Sequence, residues 1–173
     1  DKIVLARERA LAVVFELLHF WEKAQQAQSE DVESHDFRVM MSLAKTVLTR
    51  RTAHLLHDAM MLLGGNGIEE EFSPLPRLYR DAVILETWEG PHNVLLSQAL
   101  RDLRRFETDV EAFVKRVAGP NHGELTRELK RILASEAEIE MAIPFRALSE
   151  KLVDGMADRV LHGLAQPAHE VPS

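Results

Sequence analysis

From Phe37 to Leu63 the apolar residues Phe37, Met40, Met41, Ala44, Val47, Leu48, Leu55, Ala59 and Leu62 keep a three-or-four spacing, and no long stretch of the chain alternates apolar with polar side chains. A period near 3.6 belongs to a helix with a buried stripe, whereas a half-buried strand repeats every two residues. The chain is therefore expected to be all-α. Gly64-Gly65 follows directly and is expected to stop this helix, because glycine accepts the left-handed backbone of a C-terminal cap.

The same period organises most of the remaining residues. Between Lys2 and about Gln28, Val4, Leu11, Val14, Phe15 and Leu18 form one stripe and Ile3, Ala10, Val13, Leu17 and Phe20 another, so a helix buried on two sides is expected. It starts at Asp1 without a polar lead-in, which suggests a piece cut from a longer polypeptide. The polar run Ser29–His35 predicts a short loop, and two long helices joined by one should pack antiparallel. Past Pro74 and Pro76 a short helix is expected over Arg77–Thr87. Gly90-Pro91 then starts another, with proline in the first helical position, carrying Leu96, Leu100, Leu103, Phe106, Val110, Phe113, Val114 and Val117 as far as Gly119. Leu125 to Ile139 and Phe145 to Leu164 predict two further helices, divided or kinked by Pro144, and Gln166–Ser173 a frayed tail.

Composition narrows the function classes. With 173 residues, 46% of them apolar, the chain can bury one substantial core. It has no cysteine, which excludes disulfides, thiolate metal sites and a cysteine nucleophile, and an intracellular, cytoplasmic location is the default expectation. No apolar run approaches the roughly 20 residues of a membrane span, so a soluble protein is expected. A net charge of -7 weighs against broad attraction to nucleic acid.

Two places invite chemistry. Gly64-Gly65-Asn66-Gly67 is a glycine-rich turn after a helix. It can let backbone approach a ligand, or simply end the helix. Glu89 precedes Gly90-Pro91 and follows Val83, Ile84, Leu85 and Trp88. A carboxylate that is desolvated yet kept ionised beside a helix N-terminus suits a general base towards a carbon acid, and one that merely caps the helix has the same address.

Gly64-Gly65-Asn66-Gly67-Ile68, Glu71, Arg77-Leu78-Tyr79-Arg80-Asp81-Ala82, Trp88-Glu89-Gly90 and Asn93 together resemble the C-terminal signature of the acyl-CoA dehydrogenase family. The likeness runs from about residue 1 to 105 and lacks the first helix of the family's four-helix domain. It implies an antiparallel helical bundle over 1–105, an added helical extension over 106–165 and a tail over 166–173. It also implies FAD as cofactor of the complete protein, acyl-CoA as substrate, an electron-transfer acceptor, and a homo-oligomer, dimer or tetramer. In the family a glutamate removes the α-proton of the thioester while a hydride leaves the β-carbon for the flavin, and Glu89 matches that glutamate. Gly64, Gly65 and Gly67 match backbone that meets a neighbouring subunit's flavin, and Gly90 and Asn93 match positions near the cofactor. Glu86, three residues before Glu89, is the substitute base.

Three departures stand out: Met61 where the signature carries Gln or Glu, a gap at 72–76 one residue longer, and Pro91 in place of threonine. Trp-Glu-Gly-x-x-Asn is similar to the alkylation-response (AidB-like) branch, which carries a helical C-terminal extension and suggests DNA as a partner. Arg101, Arg104, Arg105, Lys130 and Arg131 are the basic residues such contact would use. A non-catalytic helical oligomerisation module is the third reading. His54 and His57 lack a third ligand, so no metal site is expected. Glu136, Glu138 and Glu140 are expected to face water, and Met40, Met41, Met60 and Met61 to fill core.

Overall fold

The long apolar period at the centre of the sequence becomes α2, Val32–Leu62, the helix around which the others gather in a computed structural model describing residues 2–26, 32–136 and 138–165. α1 is Lys2–Gln26, α3 Leu75–Thr87, α4 His92–Arg105, α5 Val110–Ala118, α6 Gly123–Ala134 and α7 Glu138–Ala165. The fold is an all-α helical bundle, and no strand occurs among the described residues. α2 packs against α1, α3, α4 and α7, while α5 and α6 close the bundle against α7.

One apolar core joins α1, α2, α4, α5, α6 and α7. Val13, Met40, Leu43, Phe113, Phe145, Leu148, Leu152 and Met156 are fully buried in it. Where polar groups enter, they are paired. Asp36 is met by Arg116 at 2.5 Å, and Asp154 of α7 by Arg51 of α2 at 2.8 Å and Arg9 of α1 at 3.1 Å. Burial pushes the Asp154 carboxyl up, but the two guanidinium groups outweigh it and hold its pKa below the ordinary carboxylate range. No buried side-chain nitrogen or oxygen among the described residues lacks a partner.

Several expectations need correction. α2 begins at Val32, so residues 32–35, expected in a loop, are helical; acidic and hydroxyl residues suit a helix's first turn as well as they suit a loop. Residues 27–31, the rest of that loop, lie outside the described residues. The single helix expected from Leu96 to Val117 is two. Phe106–Asp109 interrupts it, with Glu107 at φ 46° and the Asp109 carboxylate accepting from the N–H groups of Glu111 and Ala112 as the cap of α5. The division or kink expected at Pro144 is replaced by an interruption at residues 135–136, and Pro144 lies inside α7. Pro91 caps α4 with extended backbone, and His92 takes the first helical position.

Only one stripe of α1 is buried within this chain: Val13, Leu17 and Phe20 pack inwards, but Val4, Leu11, Val14, Phe15 and Leu18 are exposed, as is Ile3 of the inner stripe. Met40 and Met60 fill core, whereas Met41 and Met61 face outwards. Glu136 is exposed; the side chains of Glu138 and Glu140, and residues 166–173, lie outside what is described. No described helix is long and apolar enough to cross a membrane.

Candidate functional site

α2 ends at Leu62, and Gly64 adopts φ 58° to enter a 3₁₀ turn, Gly64–Ile68. The glycines of that turn serve different ends. A Cβ at Gly64 or Gly65 would meet nothing within 4 Å, so their backbone is open to an approaching molecule. Gly67 is buried, and a Cβ there would lie 2.0 Å from the Met60 carbonyl oxygen. Its missing side chain is explained by packing against α2. The backbone at Gly64 and Gly65 is open, while Gly67 contributes the shape of the turn rather than a free surface.

The second place is the corner between α3 and α4. α3 starts with Pro76 in its first turn and ends at Thr87, and Trp88 is extended. Glu89 then has φ 61° and Gly90 φ 127°, two successive left-handed residues, of which only glycine adopts that region at no steric cost. A strained non-glycine backbone persists where the surroundings fix it. Here α2 supplies the fixing: Lys45 Nζ donates to the Trp88 carbonyl and lies 3.8 Å from Glu89 Oε2. Lys45 is itself largely buried, but the Glu89 side chain is 76% exposed. The desolvation expected of a base at position 89 is not supplied by these helices.

Glu86, on the last turn of α3, is the drier carboxylate at 25% exposure, and its Oε2 lies 3.6 Å from His92 Nδ1. His92 Nε2 lies 3.1 Å from Thr49 Oγ1 on α2. Burial pushes the His92 pKa down; Glu86 opposes this, and Arg50, Arg146 and Lys45 add to it. Asn93 is exposed and lines a cavity of about 280 Å³ between α4 and α7, with Ser97, Phe145 and Arg146 among its walls.

The expected site residues thus form two groups. Glu89, Gly90 and Asn93 share the α3–α4 corner, and Gly64, Gly65 and Gly67 lie at the far end of α3. From Lys45 to Leu62 along α2 is roughly 25 Å at 1.5 Å per residue. The sequence reading missed Lys45, Thr49 and His92. A signal existed: Lys45 and Thr49 are polar residues one helical turn apart on the most regular helix, and His92 follows a helix-starting proline.

His54 and His57 are exposed, and no group of three metal-ligating side chains occurs among the described residues. The basic residues do not converge. Arg101, Arg104 and Arg105 line a shallow surface with Arg38 and Asp102, and Arg104 donates to the Ser135 carbonyl at 2.6 Å. Lys130 lines a separate groove and pairs with Glu111 at 3.9 Å.

Residues 8–103, more than half of the chain, match the family model of the acyl-CoA dehydrogenase C-terminal domain. Among curated proteins, the chain is similar to the putative acyl-CoA dehydrogenase AidB of Escherichia coli (strain K12), 33% identical over 119 residues, which cover 66% of this chain and 21% of that protein. It is also similar to acyl-CoA dehydrogenase family member 11 of Caenorhabditis elegans, 27% identical over 154 residues, 89% of this chain and 24% of the relative. That second likeness extends beyond the residues of the family model, into α5–α7. Among solved structures, the one titled Bd2924 apo-form shares the fold with a TM-score of 0.79 at 21% identity, over 96% of this chain and 33% of that one. The chain thus spans about a quarter of the length of the curated relatives it matches and a third of the solved one. On the helical architecture, the Gly64–Gly67 turn, the Trp88–Gly90 corner and these likenesses, the chain belongs to the acyl-CoA dehydrogenase family, as its C-terminal domain with further helices.

Proposed function

We propose that this chain is the C-terminal part of a flavin-dependent enzyme that dehydrogenates an acyl-CoA between its α- and β-carbons, with Glu89 as the base. The observation that carries this reading is the α3–α4 corner, where a glutamate at the family's position stands on left-handed backbone with the Lys45 ammonium 3.8 Å from its carboxylate. Glu89 Oε2 takes the α-proton of the thioester and becomes a carboxylic acid, and the electron pair left on the α-carbon forms the new double bond of a trans-2-enoyl thioester. FAD, when bound, supplies the acceptor for the hydride that leaves the β-carbon. Open backbone at Gly64 and Gly65 would meet the cofactor edge-on, and Gly90 and Asn93 would lie near it.

The exposure of Glu89 requires that other parts of the complete protein exclude water from the carboxylate before proton transfer. The roughly 25 Å along α2 between the corner and the glycine turn supports two separate half-sites, each completed by another copy in a homo-oligomer, dimer or tetramer. An external electron-transfer acceptor completes turnover. By itself this chain is expected to bind flavin weakly and to turn over nothing.

The decisive experiment is dye-linked oxidation of an acyl-CoA panel by the full-length protein and its Glu89→Gln variant. Turnover should fall about 100-fold or more with flavin content unchanged. Normal turnover in the variant would remove Glu89 from the mechanism. A second reading, association with DNA, draws on the signature's resemblance to the alkylation-response branch and on the surface lined by Arg38, Arg101, Arg104 and Arg105. It requires a salt-dependent mobility shift on duplex DNA that is lost in an Arg101→Ala, Arg105→Ala double variant; no shift at low salt ends it.

A further inference from the structure

The Pro91 carbonyl accepts from the N–H groups of Val94 and Leu95, but no side chain caps the start of α4. Its first residue, His92, is nevertheless held from two other helices. The side chain is 10% exposed, with Nε2 3.1 Å from Thr49 Oγ1 of α2 and Nδ1 3.6 Å from Glu86 Oε2 of α3. Proton positions follow from counting donors. Thr49 Oγ1 donates its single hydrogen to the Lys45 carbonyl at 2.7 Å, so towards His92 it can only accept. Nε2 therefore carries the N–H, and in the neutral ring Nδ1 is bare and faces Glu86. Lys45 and Thr49 are one turn apart on α2: the first takes the Trp88 carbonyl on one side of the left-handed pair, and the second takes His92 on the other.

We propose that His92 is a positioning residue for Glu89, an imidazole that ties the first turn of α4 to α2 through Thr49 while packed beside Glu86 of α3, and so fixes the corner on which the base stands. The proposal rests on the reading of Glu89 as base, and it concerns residues on either side of Glu89 rather than the proton transfer itself. The groups facing the ring are Glu86 from α3, Lys45, Thr49 and Arg50 from α2, and Arg146 from α7. Burial lowers the His92 pKa, Glu86 opposes it, and the three cations add to the lowering.

The test uses the full-length protein. His92→Ala and Thr49→Val should each lower kcat for acyl-CoA oxidation roughly 10- to 100-fold with KM and flavin content preserved, because a base out of place loses rate rather than affinity. His92→Gln, whose amide N–H can replace Nε2–H, should recover part of the loss. Nitrogen NMR of isotope-labelled histidine in the wild-type protein should show the Nε2–H tautomer at neutral pH, a readout that does not depend on the variants folding. Unchanged kcat in His92→Ala and Thr49→Val beside a dead Glu89→Gln enzyme overturns the positioning role and leaves the reading of Glu89 intact. Full turnover in Glu89→Gln removes that reading, and the positioning role with it. An Nδ1–H tautomer overturns the geometry outright.

Discussion

The two ends of this bundle use apolar residues in opposite ways. At the α5–α7 end Phe113, Val117, Phe145, Leu148, Leu152 and Met156 are sealed inside the core, and Asp36 and Asp154 enter only with arginine partners. At the α3 end only Pro76 and Ala82 of that helix are buried, while Phe72, Leu78, Ile84, Leu85 and Trp88 are exposed. None of the core residues comes from α3 or the glycine turn. Apolar area left in water forgoes on the order of 25 cal/mol per Å², and exposed apolar patches of this kind mark surfaces meant for contact. The helices beyond the family model are sealed into the core shared with α1, α2 and α4, whereas α3 and the glycine turn are left outside it. Both candidate half-sites lie on that side.

The sharpest way to break this contrast is a pair of truncations in the present chain. Phe113→Ala should cost about 3–5 kcal/mol by the cavity it leaves, and Leu85→Ala less than about 0.5 kcal/mol, both read from denaturant unfolding. Equal losses would mean that α3 is as buried as α5. Next in size is Gly67→Ala, which drives a methyl group against the Met60 carbonyl and should cost about 1–3 kcal/mol, whereas Gly65→Ala, with open space around it, should leave the melting temperature nearly unchanged. Asp109→Ala removes the cap of α5 and should lose about 1 kcal/mol by the same unfolding assay.

Smaller still, because its partners are partly exposed and solvent screens them, is the effect of Asp154→Asn. The folded state holds this carboxyl below its unfolded value, so its contribution is complete above the ordinary carboxylate pKa of about 3.9 and disappears as pH falls through the lower folded-state value. Stability measured against pH should therefore show a shallower acid limb in the variant than in the wild type. Superimposable acid limbs would show that the Arg9–Asp154–Arg51 bridge adds nothing to the closed end.

Most helix positions were legible because a 3.6-residue period is a local property, written out along α2 and α6. Boundaries set by one side chain were harder. Asp109 reads as one more polar residue within a continuous apolar stripe from Leu96 to Val117, and only the N–H groups it accepts from reveal that the helix restarts there. Pro144 reads as a divide or a kink, yet α7 continues on both sides of it. At the candidate site the sequence pointed to Glu89, Gly90 and the glycine turn through their order and spacing. It was silent on Lys45, Thr49 and His92 as partners, since they meet across 43 residues of chain.

The sequence by itself determined that the chain is helical, where Gly64 and Gly119 break it, and to which family its signature belongs, because periodicity, turn chemistry and motif order are carried by neighbouring residues. Tertiary structure alone decided which stripe of α1 is buried, that Gly67 is a packing glycine while Gly64 and Gly65 stand open, and that Glu89 projects into solvent beside Lys45. Burial and pairing depend on what arrives from elsewhere in the fold, and no local pattern records that arrival.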